Sequence, residues 1–519
     1  MPSKKGSLPE PKISSVQRKK LTRNAFFISA VMILLSAVVF YFEKDSDLFN
    51  VLFWVGLLVF GVNAFWLSKD FSRPFVVPYF LMMVQTRKLV KKIYDIAHHG
   101  KWVERIAFLG LFAGFGLTWV DYWKARKLGG WRRIVLLLAF TVILGLFFYF
   151  VLGILFAVPA LQPIFWFSMV GFILLGFGGL SLAILIGYGY LSLVALFSAE
   201  QICPSVAPVI PGIPIPGLGL TIPAIAWISL GMILIVHELS HGIMLAYYKK
   251  KIHSVGLLLA GIFPLGAFVQ EDDKEFEQGK DHEALMMLSA GPASNFFTMI
   301  VGIILLLAFA FIVSPISPIF DAESEKTYSG IAVTSVQETI SYCGIDKNAP
   351  AFGKLEEGDI VLSFNGVDIN RSSVLNKEFA ISGTDMNFFV SRGDKNVFFE
   401  MKAVIFEDLN IKAIGAQFDP IKTGYEPPWW YFPGFLVLNS VWLVLFFFVL
   451  LSFAVGMFNY LPADPLDGGK IAKIVLEPYA GFMRLDSKEE TRKFIGRLFA
   501  WLFLVSLLLN LLPYVGVIL

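Results

Sequence analysis

Between Ile134 and Val236 the sequence carries a single charged side chain, Glu200. A soluble fold cannot absorb a stretch that long, because its helices and strands need polar residues at a regular period to face water. A bilayer span takes about 20 apolar residues, so this window holds several. The rest of the 519-residue chain agrees. Hydrophobic residues make up 56%, charged residues 16%, and phenylalanine occurs 52 times, where ordinary globular domains carry about 25% charged residues. This hydrophobicity excludes intrinsic disorder. Two cysteines, Cys203 and Cys343, are too few for a secreted disulfide scaffold. A net charge of +3 in so apolar a chain gives no case for nucleic acid. The expected class is a polytopic α-helical membrane protein, bathed in lipid and carrying one inserted soluble domain.

Residues 1–24 are polar and basic and read as a cytoplasmic tail, with no cleavage site of the kind that ends a signal peptide. Residues 25–199 read as N-terminal spans, at Ala25–Phe42, Leu48–Leu67, Ile134–Ala157 and Ile164–Ala199. The last is either one long helix or two, since Gly176, Gly178 and Gly179 can break it. Within this block, Lys69–Arg105 mixes basic and apolar residues and is expected to lie on the cytoplasmic membrane surface as an amphipathic segment. Ile106–Val120 is short for a span, and both a re-entrant segment and a short crossing fit it. Residues 200–223 hold six prolines, which rules out a helix. Residues 224–320 contain helices near Ala224–Tyr248 and Ala290–Val313. Residues 321–428 are the soluble insertion, and 429–519 contain spans at Trp430–Met457 and Phe494–Ile518. The basic clusters at Lys249–Lys251 and at Lys470, Lys473, Arg484, Lys488, Arg492, Lys493 and Arg497 mark the cytoplasmic side. The proline-rich loop and the insertion are then extracytoplasmic, and so are both cysteines.

Inside the helix near Ala224–Tyr248 stands His237-Glu238-Leu239-Ser240-His241. Positions i and i+4 share a helical face, so the two imidazoles can hold one metal ion while the Glu reaches a metal-bound water. Ionisable groups inside a span are costly and mark function; the alternative is a polar patch packing two helices. A catalytic zinc needs a third protein ligand. His98, His99, His253 and His282 sit in charged segments and are poor candidates. Asp467 is a better one. It lies in Asn459-Tyr460-Leu461-Pro462-Ala463-Asp464-Pro465-Leu466-Asp467-Gly468-Gly469, an irregular stretch that membrane depth tolerates only where protein or a watery cavity surrounds it. A surface turn at the membrane edge is the alternative.

These motifs resemble those of the site-2 protease family of intramembrane zinc metalloproteases, which pair H-E-x-x-H on one membrane helix with N-x-x-P-x-x-x-x-D-G on another. The resemblance implies that His237, His241 and Asp467 hold Zn2+, that Glu238 is the general base and acid, and that Asn459 lines the substrate cleft. Gly291-Pro292-Ala293-Ser294-Asn295 resembles the family's G-P-x-x-N, which gives Gly291, Pro292 and Asn295 places at the substrate backbone. Val255–Val269, too rich in glycine and proline for a helix, matches the family's membrane-dipping β hairpin, whose edge would pair with an extended substrate; a short interfacial loop is the alternative. In the insertion, the run from Lys354 to Gly366 resembles the core of PDZ domains, with Gln337–Lys347 as an added piece. Ser329–Val333 would then sit where such domains hold a peptide's C-terminal carboxylate, and a plain β spacer is the alternative. The spans before residue 200 resemble enlarged archaeal-type members. The implied function is hydrolysis of peptide bonds within transmembrane segments of membrane proteins. Two rivals stand beside it: a zinc protease of the type that trims prenylated proteins, and a metal-binding transporter or receptor with no protease activity.

Overall fold

The structure is a computed structural model. It describes residues 31, 75–77, 81–86, 88–157, 159–198, 210–213, 221–260, 263–272, 279–342, 345–406, 411–481 and 487–513. The basic tail, the expected spans at 25–42 and 48–67 (Val31 apart), both cysteines and most of the proline-rich loop lie outside these residues. Among the described residues, seven helical stretches are long and apolar enough to cross a membrane: Leu89–Leu128, Gly130–Leu152, Leu161–Phe197, Ala226–Tyr247, Asp281–Val313, Tyr431–Asn459 and Lys488–Asn510. The protein is thus an integral membrane protein with β structure added. It divides into two compact units, one made of residues up to Arg105 with Leu230–Gly291, the other of Ile106–Ser229 with Pro292 onward.

The first unit carries a four-stranded antiparallel sheet in the order β1 (Phe75–Val77), β2 (Leu81–Thr86), β3 (Ile252–Ala260), β4 (Phe263–Glu271). Val255–Val269 is therefore a hairpin. Pro264 pairs with Leu259 just past a bulge, where a missing N–H is tolerated. Only half of this hairpin is an edge, because β2 covers β3 from Leu81↔Ala260 to Thr86↔Val255. The described part of Lys69–Arg105 is thus two strands and then a helix, α1 (Lys88–Ile96). That helix is amphipathic, with Ile93 buried and Lys91 and Lys92 exposed. The run Leu81–Val84 pairs as a strand because β3 offers it a complete ladder, a partner far away in sequence.

Three long helices enter or leave this unit: α2 (Gly100–Val120), α5 (Ala226–Tyr247) and α6 (Asp281–Val313). Gly100 packs against the Tyr247 ring, leaving no room for a Cβ. Tyr248 donates a hydrogen bond to Glu104. Burial and that bond together push the Tyr248 phenol well above its ordinary range. Helix α6 starts nine residues before Ala290. Asp281 and Glu283 fill its first turn, where negative charge offsets the helix dipole, and Ala284–Ala290 are buried.

In the second unit, two of the seven stretches fold back on themselves. In α2, Gly116 has φ +46° and ψ −128°. The Phe108 and Trp123 ring centroids are 5.2 Å apart, whereas a straight helix would separate these positions by about 22 Å. The chain therefore reverses direction within Ile106–Val120. Helix α3 (Gly130–Phe147) follows. Helix α4 (Phe165–Ser198) breaks at Leu175 and Gly176. A Cβ on Gly171 would lie 2.9 Å from that of Ala183, against about 18 Å along a straight helix. The first hairpin is pinned where it meets α3. Arg133 donates two hydrogen bonds to buried Asp121, at 2.8 and 2.6 Å, and the Tyr479 hydroxyl donates a third at 2.6 Å. Burial and the Asp121 carboxylate raise the Tyr479 phenol well above its ordinary value.

The insertion follows α7 (Ser317–Thr327). Its strands are β5 (Tyr328–Val336), β6 (Thr339–Tyr342), β7 (Ile345–Asn348), β8 (Ile360–Phe364), β9 (Val367–Asp368), β10 (Asp385–Arg392), β11 (Lys395–Lys402), β12 (Val404–Phe406), β13 (Ile411–Ala413) and β14 (Ala416–Lys422), with α8 (Ser372–Ile381) before β10. The main sheet runs β11-β10-β8-β5-β14, with β9 on β8, and two small hairpins, β6–β7 and β12–β13, stand apart from it. The added piece Gln337–Lys347 supplies most of β6–β7. Asn365 (φ +48°) and Gly366 (φ +81°) turn β8 into β9, as an Asn-Gly pair favours. Ile331, Val361, Phe364, Leu375, Phe388 and Val390 form the core. Ser329–Val333 lies in β5, which is hydrogen-bonded on both sides, and the edge strands of the sheet are β14, next to β5, and β11 at the far side. After the insertion come α9 (Tyr431–Asn459), α10 (Asp467–Val475) and α11 (Lys488–Asn510).

Candidate metal centre

Helix α5 is apolar around its motif, yet His237 is buried and His241 half-buried on its inner face. Their ring centroids are 4.9 Å apart, and their Nε2 atoms lie 3.2 Å apart. His241 Nδ1 is 2.7 Å from the Met287 carbonyl on α6. A carbonyl only accepts, so Nδ1 carries the proton and Nε2 keeps its lone pair for a metal. The space in front of the pair depends on Gly291, since a Cβ there would lie 2.5 Å from His237 Nε2 and overlap His241 Nε2.

One ligand atom each from His237, His241 and Asp467 fall within 4.8 Å of one another; among the described residues this is the group of His, Cys, Asp and Glu able to hold a metal ion. The donor set fits zinc. Two Zn–N bonds of about 2.05 Å at a tetrahedral angle put the nitrogens about 3.3 Å apart, close to the 3.2 Å found here. Two imidazoles and one carboxylate also match a catalytic rather than a closed structural site.

Glu238 follows His237 on the same helix and is half-buried. Its carboxylate accepts a hydrogen bond from the Val269 N–H of β4 at 3.2 Å. Asp467 is the first residue of α10, directly after the irregular stretch. Asp464 is engaged elsewhere, in an ion pair with Lys473 at 2.5 Å. Asn295 is fully buried on α6, where Gly456 of α9 comes so close that an added Cβ would lie 3.2 Å from the Asn295 Cβ. Asn459 Nδ2 donates to the Val455 carbonyl of its own helix at 3.0 Å. Gly291 and Pro292 lie ten residues inside α6 rather than at its start. The remaining histidines stay outside the group. His98 bonds the Asp95 carbonyl, His253 faces Asp272 at 3.2 Å, and His282 faces Glu104 at 3.8 Å.

Three contributions were not read from the sequence: the Met287 carbonyl, the clearance given by Gly291, and the Val269 N–H. The first and last are backbone groups, invisible to side-chain motifs. The second had a signal, since a glycine before a proline inside an apolar helix asks for a packing reason.

Residues 225–504 match the model of peptidase family M50. The chain is also 28% identical, over 244 residues, to an uncharacterized protein of Methanocaldococcus jannaschii; the match covers 46% of this chain and 54% of that protein. The chain thus spans about half the length of this relative. With more than half of the sequence inside the family match, the chain belongs to peptidase family M50, the site-2 protease family of membrane metallopeptidases.

Proposed function

We propose that this protein is an intramembrane zinc protease that cuts peptide bonds within transmembrane segments of other membrane proteins. One observation carries the reading: His237 and His241 direct two Nε2 atoms, 3.2 Å apart, at one spot, with Glu238 the next residue after His237 on the same helix. Zinc bound by His237, His241 and Asp467 would activate water and polarise the scissile carbonyl. Glu238 takes the proton of the attacking water and hands it to the leaving amine. Gly291 keeps the space before the imidazoles open. Asn295, Asn459 and Pro292 belong to the substrate cleft in this reading.

A helical substrate must open before it can be cut, and each freed N–H and C=O in lipid costs several kcal/mol unless it is paired again. The open edge of β4 is suited to this pairing. Val269 directs its N–H away from β3, toward Glu238. N–H groups alternate along a strand, so Ala267 presents its own N–H on that same side. A substrate strand paired at Ala267 would run past Glu238. Ala267→Pro should therefore cut turnover while leaving zinc bound.

The insertion is read as a PDZ-like, extracytoplasmic domain, with the edge of β14 beside α8 as the place for a peptide C-terminus. With the N-terminus cytoplasmic, the basic loops fall on the cytoplasmic side. Neither rival reading has a feature that favours it. Purified wild type should contain about one zinc per chain and cleave a transmembrane reporter in detergent or liposomes. His237→Ala and Asp467→Ala should lose both. Full cleavage by zinc-free His237→Ala protein would end the proposal.

A further inference from the structure

The two hairpins lie outside the family match, which begins at residue 225, so the shared protease core does not account for them. Their tips meet. A Cβ on Gly116 would lie 2.7 Å from the Ile173 carbonyl oxygen and 2.8 Å from the Gly176 nitrogen, and a Cβ on Gly176 would overlap the Ala113 carbonyl. Both tips also close on one residue, Tyr460. Its ring fills the space over Gly114, so closely that a Cβ there would overlap it, and its carbonyl oxygen lies equally tight against Gly178. Tyr460 is fully buried. Its ring stacks on Phe296 at 5.9 Å and meets Phe115 edge-on at 6.3 Å. Gly468, the neighbour of Asp467, packs on that same Tyr460 carbonyl. The second arm of α4 continues the contact. Ser181 Oγ donates to the Phe177 carbonyl at 2.9 Å and more weakly to the Met457 carbonyl at 3.4 Å. Leu182 clusters with Leu461 and Ala463.

We propose that the hairpins clamp the Asn459–Asp467 loop through Tyr460, and that Gly114 and Gly178 are positioning residues for the Asp467 carboxylate. This rests on the zinc protease reading. The loop is not helical between Tyr460 and Leu466, so no regular hydrogen-bond ladder fixes its end. A metal ligand on such a backbone needs supporting packing to hold its geometry. The hairpins grip the loop at Tyr460, Leu461 and Ala463, and Gly468 closes the far end of the loop onto that same Tyr460 carbonyl. The N-terminal helices are then part of the metal site without giving it a ligand.

Zinc affinity of the full-length protein in detergent, measured by chelator competition, tests this, with thermal unfolding and Co2+ absorption spectra in parallel. Gly114→Ala and Gly178→Ala should each weaken zinc binding at least tenfold and alter the Co2+ spectrum. Gly187→Ala, whose methyl would press on Ile164 in the same hairpin, should lower thermal stability while zinc affinity stays within twofold of wild type. Rescue separates the two contacts. Tyr460→Leu makes room for the methyl of Gly114→Ala, so that double variant should bind zinc more tightly than Gly114→Ala alone. It should not rescue Gly178→Ala, whose clash is with backbone. If Gly178→Ala fails to fold, the Gly114→Ala and Tyr460→Leu pair decides the matter alone. Wild-type zinc affinity in folded Gly114→Ala and Gly178→Ala proteins, or an equal loss in Gly187→Ala, overturns the clamp and leaves the protease reading standing. A wild-type protein that binds no zinc overturns both.

Discussion

The soluble insertion and the helix α5 both bury charged or polar groups, and they do so in opposite ways. In the insertion, Asp359 is 1% exposed, and its carboxylate receives two hydrogen bonds from Arg392, both 2.7 Å, and one from the Glu356 N–H at 2.9 Å. Donors and acceptors match, so the group has nothing left to offer a ligand. In α5, two ring nitrogens of the same kind converge on one point. Like groups gathered in this way gain little from each other and much from a cation. The difference separates a buried charge that fastens a fold from buried groups that make a site.

Variants in each region should therefore move different observables. The largest effect is expected at Glu238→Gln, which should lower cleavage by about 10²–10⁴-fold with zinc content unchanged. Cleavage within twofold of wild type would remove Glu238 from the mechanism. Arg392→Ala strips the partner from a buried carboxylate and should destabilise the insertion by about 3 kcal/mol. Hydrogen exchange should rise in β8 and β10 and stay unchanged in α5 and α6, and a change in α5 would blur the distinction drawn above. The same pair makes the insertion acid-sensitive. Burial alone pushes the Asp359 carboxyl up, but the Arg392 hydrogen bonds, the Glu356 N–H and the Arg392 charge together hold it below the usual carboxylate range. A depressed folded value means the pair's stabilisation is complete above the unfolded value of about 3.9. It is lost as pH falls through the folded value. Exchange in β8 and β10 followed from pH 6 down to pH 2 should show that loss in wild type and a flatter profile in Arg392→Ala. The smallest effect is expected at Asp464→Asn. Asp464 faces Lys473, so zinc content should stay within about twofold of wild type, whereas Asp467→Asn should reduce it clearly. Equal losses in the two would mean that the loop, and not one carboxylate, is being measured.

Much of this was legible in the sequence, for physical reasons that differ by region. The His237–His241 motif could be read because two histidines and a glutamate have no ordinary business in an apolar helix. The Val255–Val269 hairpin could be read from glycine and proline, which disallow the helix its hydrophobicity would otherwise suggest. Pairing partners could not. Nothing in Leu81–Thr86 says that it joins β3, and nothing in Ser329–Val333 says that β14 will cover it, since register depends on residues far away in the chain. Chain reversal inside an apolar run was half-legible. Gly176 announced a break in α4, but a break does not reveal whether the helix bends or turns back. Only contacts such as Phe108 with Trp123 decide that.

The reversal at Gly116 changes how the membrane topology should be counted. A hairpin that returns to the face it entered contributes no crossing, and α4 behaves likewise. If both hairpins return to the face they entered, five of the seven apolar stretches carry the chain across, an odd number as before, and the two ends of the described chain keep their relative sides. On that count Arg105, before the first hairpin, and Lys124, Arg126 and Lys127, after it, would fall in one compartment. A basic cluster that a straight crossing would split between two faces would then be gathered on one, as the retention of positive charge in the cytoplasm favours. Reporters fused near Ile106 and near Leu128 would light up on the same side, and a helix count taken from hydropathy alone would assign them to opposite ones.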